Sequence, residues 1–140
     1  MANLQGLKHT EKRWVISDIG DIIGYMNNNG IASFFPAGRT DNALTASAVA
    51  TQAGGLKLNY RISRVTTVVT LADAVTLPAA KAGMQLTVIN AAAANSMNVF
   101  PAVGEIINAL AANAAIAVAA NKAMIFTCAV NGTWNTILTA

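Results

Sequence analysis

Few side chains in this 140-residue chain are of types that carry chemistry, and they do not converge. His9 is the one histidine, and no cysteine or carboxylate cluster at metal-binding spacing lies near it. Asp18 and Asp21 would share one face of a helix, where charges near an N-terminus are a simpler reading than a metal site. Glu105 is the only carboxylate from Ala74 to Ala140, so that half cannot supply the acid pair that glycoside hydrolysis needs. Cys128 is the single cysteine, which excludes an intramolecular disulfide and a cysteine metal cluster. Its place in an alternating strand reads as a small buried hydrophobe rather than a nucleophile. No glycine-rich phosphate loop is present. Neither catalysis nor a cofactor nor a metal site is expected, and Trp134 and Phe100 read as core or interface anchors rather than ligand platforms.

The charge distribution says more than any motif. From Ala74 onward the only Asp, Glu, Lys and Arg residues are Lys81, Glu105 and Lys122, whereas about a quarter of a typical soluble domain is charged. Apolar residues make up 54% of the chain with only 6% aromatic, so its apolar surface is mostly Ala, Val, Ile and Leu and a core built from it is thin. Such a half is expected to be covered, and another copy of itself is the simplest cover. The most apolar window, Ile106–Ala120, is shorter than the ~20 residues a membrane span requires and is interrupted by Asn108 and Asn113. Met1–Thr10 is polar, without an apolar core and cleavage site, so synthesis in a cytoplasm is expected.

The net charge of +3 is a weak pointer to nucleic acid. Lys8, Lys12, Arg13, Arg39, Lys57, Arg61 and Arg64 are dispersed among Glu11, Asp18, Asp21 and Asp41, and aromatic residues do not alternate with them. Neither direct nucleic-acid binding nor membrane contact is expected. A mildly basic arm against an acidic protein surface fits the same charges.

The elements that hold these residues read as strands. In Val75–Asn90 a short alternation stops at Pro78, Gly83 lies in a turn, and a second alternation puts Leu86 and Val88 on one face and Thr87 and Ile89 on the other, which predicts a β-hairpin. Further strands are predicted at Leu56–Ile62, Val65–Leu71, Met97–Phe100 ending at Pro101, Glu105–Asn108, Ile116–Val118, Met124–Val130 and Trp134–Leu138. Asn131-Gly132 is the strongest hairpin signal, read as a type I′ turn, and Asn121-Lys122 turns the chain between Val118 and Met124. No repeat of fixed length is apparent.

The first part is less regular. Trp14–Met26 has apolar residues at helical spacings, and Ser17-Asp18 would cap a short helix starting near Ile19. Gly20 and Gly24 weaken that helix, and an extended arm laying Trp14, Ile16 and Tyr25 into a partner groove is the competing reading. Ile31–Phe35 suits a short strand ended by Pro36, with loops at Asn27–Gly30 and Ala37–Asn42. Ala43–Ala53 is weakly patterned, and the boundary between arm (1–54) and β-module (55–140) is placed at Gly54-Gly55.

The phrases Val75-Thr76-Leu77-Pro78, Ala82-Gly83-Met84, Val88-Ile89-Asn90, Val99-Phe100-Pro101, Gly104-Glu105-Ile106-Ile107-Asn108, Ala119-Ala120-Asn121-Lys122, Phe126-Thr127-Cys128 and Asn131-Gly132-Thr133-Trp134 resemble a β-module of tailed-bacteriophage virion proteins. That family includes capsid decoration (cement) proteins and head fibres, usually trimeric. The resemblance covers roughly the C-terminal half. It implies an all-β fold, here expected as a small antiparallel β-sandwich or barrel-like module that trimerises, preceded by an extended arm with at most one short helix. The expected function is a cement protein on the outer capsid surface of the virion, with the chain itself and a major capsid protein as partners. The arm residues expected at the capsid are Lys12, Arg13, Trp14, Ile16, Ile19, Ile22, Ile23, Tyr25 and Phe34. Val99, Phe100, Ile116, Val118, Phe126 and Trp134 are the expected trimer contacts. A receptor- or glycan-binding module of a fibre or tail is the alternative, and it would place aromatic and polar clusters on loops that here are mostly Ala and Asn.

Overall fold

The computed structural model describes residues 13–16, 22–26, 32–34 and 40–138. The chain forms two compact units, Met1–Gly38 and Arg39–Ala140. Among the described residues there is no helix, so the fold is all-β.

In the first unit β1 (Arg13–Ile16), β2 (Ile22–Met26) and β3 (Ala32–Phe34) form an antiparallel sheet in that order. Trp14 pairs with Tyr25 and Ile16 with Ile22, with a register shift between Val15 and Ile16. The short helix expected to start near Ile19 is thus corrected over Ile22–Met26, which is strand. Two adjacent β-branched isoleucines followed by Gly24 suit extended backbone better than helix. Ser17, Asp18, Ile19 and Asp21 lie outside the described residues, as do His9 and Lys12.

The second unit is built from β4 (Thr40–Thr45), β5 (Leu56–Lys57), β6 (Ile62–Thr67), β7 (Ala74–Thr76), β8 (Gln85–Asn90), β9 (Met97–Phe100), β10 (Ile106–Ile107), β11 (Ile116–Val118), β12 (Lys122–Val130) and β13 (Thr133–Leu138). Its strands fall into a six-stranded sheet, ordered β10-β13-β12-β8-β6-β4, and a four-stranded sheet, ordered β11-β9-β7-β5. From β4 to β9 the chain visits the two sheets alternately, and each strand pairs in parallel with its equivalent one circuit later. Thr40 pairs with Ile62 and Ile62 with Thr87 in one sheet, while Leu56 pairs with Val75 and Val75 with Val99 in the other. That winding is a β-solenoid. The circuits differ in length, which is why no fixed repeat is visible in the sequence.

The antiparallel sandwich or barrel is therefore corrected to stacked parallel coils, closed at one end by an antiparallel cap. β12 runs antiparallel to β8 and β11 antiparallel to β9, which ends the parallel stack. The expected hairpin across Gly83 is corrected too: Gly83 does sit in a turn, at φ 91°, but β7 and β8 belong to different sheets. The Asn131-Gly132 turn does join an antiparallel pair, β12 and β13. Only Gly132 has positive φ, however, and the register slips between Thr127 and Val130, so a bulged hairpin replaces the type I′ turn. Asn121 turns at φ 57° between β11 and β12, which lie in different sheets. β4 is itself a strand of the larger sheet, so residues 40–54, assigned to the arm from sequence, belong to the β-unit.

Alternation decides which side chains face inward. Val65, Leu86, Val88, Met124, Phe126 and Trp134 from the larger sheet, and Val75, Met97, Val99 and Val118 from the smaller, are buried as the core. Each large apolar side chain so buried contributes roughly 1.5–3 kcal/mol. Phe126 and Trp134 meet edge to face, with ring centroids 6.4 Å apart.

Candidate assembly surface

A β-unit this poor in charge must satisfy its polar backbone by other means, and asparagine side chains do so. Asn90 ends β8 and is fully buried. Its amide donates to the Asn95 and Val118 carbonyls, both at 2.9 Å, and its oxygen accepts the Ala92 N–H at 3.1 Å. Asn95 in turn donates to the Val68 and Val69 carbonyls at 3.0 and 2.9 Å, stitching one corner of the solenoid to the next. Asn113 accepts the Gly104 N–H at 2.6 Å and a 3.1 Å bond from Gln52, whose amide also donates to the Pro101 carbonyl at 2.8 Å. Asn131 accepts the Ala82 N–H at 2.8 Å. From the sequence Asn131 reads as a turn former, Asn113 as an interruption of an apolar window and Asn90 as the end of a strand, none of them as a bond to distant backbone. The signal for their further role is an Asn at the end of an alternating run, where the side chain can replace a missing ladder partner.

Two carboxylates serve the same purpose. Asp73 is buried, and accepts the Val69 and Thr70 N–H groups at 2.9 and 3.1 Å as well as the Thr70 hydroxyl. The Thr70 hydroxyl, with the Thr70 and Val69 amides, holds the Asp73 carboxyl below its ordinary range against the opposing effect of burial. Glu105 takes the Ala80 N–H on both oxygens, at 2.9 and 3.0 Å, and so fastens the loop between β7 and β8 to the turn before β10 within a single chain. Cys128 is buried, donates to the Val130 carbonyl at 3.2 Å, and burial raises its pKa above the ordinary thiol value. Among the described residues no group of three His, Cys, Asp or Glu side chains is placed to hold a metal ion, and no helix is long and apolar enough to cross a membrane.

Of the six residues expected at a trimer contact, Val99, Val118, Phe126 and Trp134 are buried in the chain's own core, while Phe100 and Ile116 are half-buried. The first four pack the two sheets of one molecule together, and a surface formed by them is not on offer to a second. In the first unit Arg13, Trp14 and Ile16 lie on β1, Ile22, Ile23 and Tyr25 on β2 and Phe34 on β3, with Phe34 in register with Gly24.

What the second unit does present is the outer face of its larger sheet. Since Leu86, Val88, Met124 and Phe126 point inward, their neighbours point out. Ile137 pairs with Ile125, Ile125 with Thr87, and Thr87 with Ile62, so one row of β-branched side chains crosses β13, β12, β8 and β6. The next row carries Ala123, Ile89 and Arg64. On the other side, Asn135, Thr127 and Gln85 form a polar row. Ile62, Ile89 and Ile125 are half-buried and Ile137 is 60% exposed. Arg64, the one charge in these rows, donates to the Asn42 carbonyl at 3.2 Å.

The edges of this sheet are less inviting than its face. β4 has two register irregularities against β6, and bulges of this kind spoil an edge as a template for another strand. At the opposite edge β10 has only two residues, and Asn108 stands in for the missing strand. It accepts the Thr136 N–H at 3.0 Å and donates to the Thr136 hydroxyl at 2.9 Å. No protein-family model, curated protein or solved structure matches this chain.

Proposed function

We propose that this chain is a virion structural protein: a capsid decoration, or cement, protein that trimerises and stabilises a tailed-phage head by bridging major capsid protein subunits. The reading is carried by one observation. Between Ala74 and Ala140 the chain spends almost no charge on its surface, yet it folds into a β-unit whose backbone is satisfied from within by Asn90, Asn95, Asn108 and Asn113. A module with so few charges suits a place among copies of itself. The N-terminal sheet, with Trp14 and Tyr25 as cross-strand partners, supplies the capsid-binding residues, and Lys12 and Arg13 steer it toward an acidic lattice. A ligand that binds only the assembled shell stabilises that shell by its own binding free energy, and three linked arms raise the effective concentration of one another.

Co-sedimentation of the full-length protein with expanded, undecorated phage heads tests this. The wild type pellets with the heads and raises their resistance to heat, while a Trp14→Ala, Tyr25→Ala variant stays in the supernatant with its own oligomeric state unchanged. A wild type that never pellets, or a variant that pellets equally well, contradicts the assignment of the arm.

A further inference from the structure

We infer that the copies of the proposed trimer meet through the outer face of the six-stranded sheet, with the Ile62, Ile89, Ile125 and Ile137 side chains of each copy turned toward the threefold axis and packed against the same face of its two neighbours. The inference rests on the reading that the chain assembles with itself. It adds where, and it moves the contact away from the buried residues that sequence reading had chosen.

Three observations select this face. First, it is apolar where a contact should be and polar along one border: the isoleucine rows are bounded on one side by Asn135, Thr127 and Gln85, as at the margin of an interaction site. Second, both edges of the same sheet are blunted, by the irregular pairing of β4 and by Asn108 over β13, so adding strands edge to edge is disfavoured and packing face to face is left. Third, the size is sufficient. Strands about 4.8 Å apart, each contributing about five residues at ~3.3 Å, make a face on the order of 500 Å². Three such faces about one axis withdraw on the order of 1,500 Å² from solvent, the scale of a specific interface.

The occupant is a second copy because of what the face lacks. It displays no carboxylate, and its one cation, Arg64, is engaged by the Asn42 carbonyl. A strongly acidic or basic partner therefore finds nothing to pair with, whereas an identical uncharged sheet satisfies it by shape and apolar burial alone.

The test is sedimentation velocity of the full-length wild type and of an Ile125→Thr, Ile137→Thr variant across a range of concentrations. Threonine keeps strand propensity, so the circular dichroism of the variant matches that of the wild type. Its dissociation constant rises about a hundredfold, since each change withdraws buried apolar surface from the contact. An Ile62→Thr variant, at the other end of the row, gives the same result independently if the double variant folds poorly. Val103→Thr, at a side chain 82% exposed in the turn after β9, leaves assembly as in the wild type. An oligomeric wild type whose variants assemble equally well overturns this face and leaves self-assembly standing. A wild type that is monomeric throughout overturns both.

Discussion

Glu105 holds the Ala80 amide with both carboxylate oxygens, at 2.9 and 3.0 Å, and so ties the end of the Val75–Pro78 segment to the turn that follows Pro101. One of the three charged residues in the charge-poor half is thus committed to the backbone. Glu105→Ala leaves that amide without its acceptor and lowers stability by about 1–2 kcal/mol. Glu105→Gln, which retains an acceptor oxygen, loses less. Urea unfolding midpoints of the two variants check the order.

Asp73 predicts how stability depends on acidity. Its folded-state pKa is lowered from the ordinary 3.8, chiefly by the Thr70 hydroxyl. A carboxyl depressed in the folded state contributes its stability above the unfolded pKa and loses it as the pH falls through the folded value. Stability of the wild type therefore declines below about pH 4, and more steeply than in Asp73→Asn, which has no proton to take up there. Thermal unfolding between pH 2 and pH 7 at constant ionic strength measures the difference, and equal slopes would remove Asp73 from the account.

Ala72 turns the corner before β7 at φ 71°, and its amide still donates to the Ser96 carbonyl at 3.0 Å. A left-handed alanine costs energy that glycine does not. Ala72→Gly should accordingly stabilise the protein by roughly 0.5–1 kcal/mol, a direction opposite to that of glycine substitutions in a strand. A lowered denaturation midpoint would show that the corner is shaped otherwise.

Trp134 is fully buried, and its indole N–H is the one buried side-chain polar atom without a hydrogen-bond partner among the described residues. Trp134→Phe removes that unsatisfied donor while leaving a modest cavity, two effects of similar size and opposite sign. Its stability stays within about 1 kcal/mol of the wild type, whereas Trp134→Ala loses about 3–5 kcal/mol. Chemical unfolding of both variants separates the packing contribution of the ring from that of its N–H.

Most strands of the second unit were legible in the sequence, although the expected Leu56–Ile62 is strand only at Leu56–Lys57 and the next strand runs Ile62–Thr67 instead of Val65–Leu71; their partners were not legible. Met97–Phe100 and Ile116–Val118 stand where alternation and Pro101 put them, and Leu86 and Val88 face inward while Thr87 and Ile89 face out, as their spacing predicts. A period of two tells which face a residue occupies but not which strand lies beside it, so β7 and β8 read as a hairpin although they lie in different sheets. β4 was missed because Thr40, Asp41 and Asn42 are turn-forming types, and its strand exists only through pairing with β6. The same limit explains the assignment of Val99, Val118, Phe126 and Trp134 to an interface: an inward apolar row looks alike whether the opposing sheet belongs to the same chain or another. The outer isoleucines were masked for the converse reason, since alternation with core residues made them read as ordinary strand positions.

On the proposed reading this β-unit stands among copies of itself. Sedimentation equilibrium of the full-length wild type measures it directly. A mass three times that of the 14.4 kDa chain is expected at micromolar concentration. A mass of 14.4 kDa at every concentration, with the Ile125 and Ile137 face open to solvent, would contradict it.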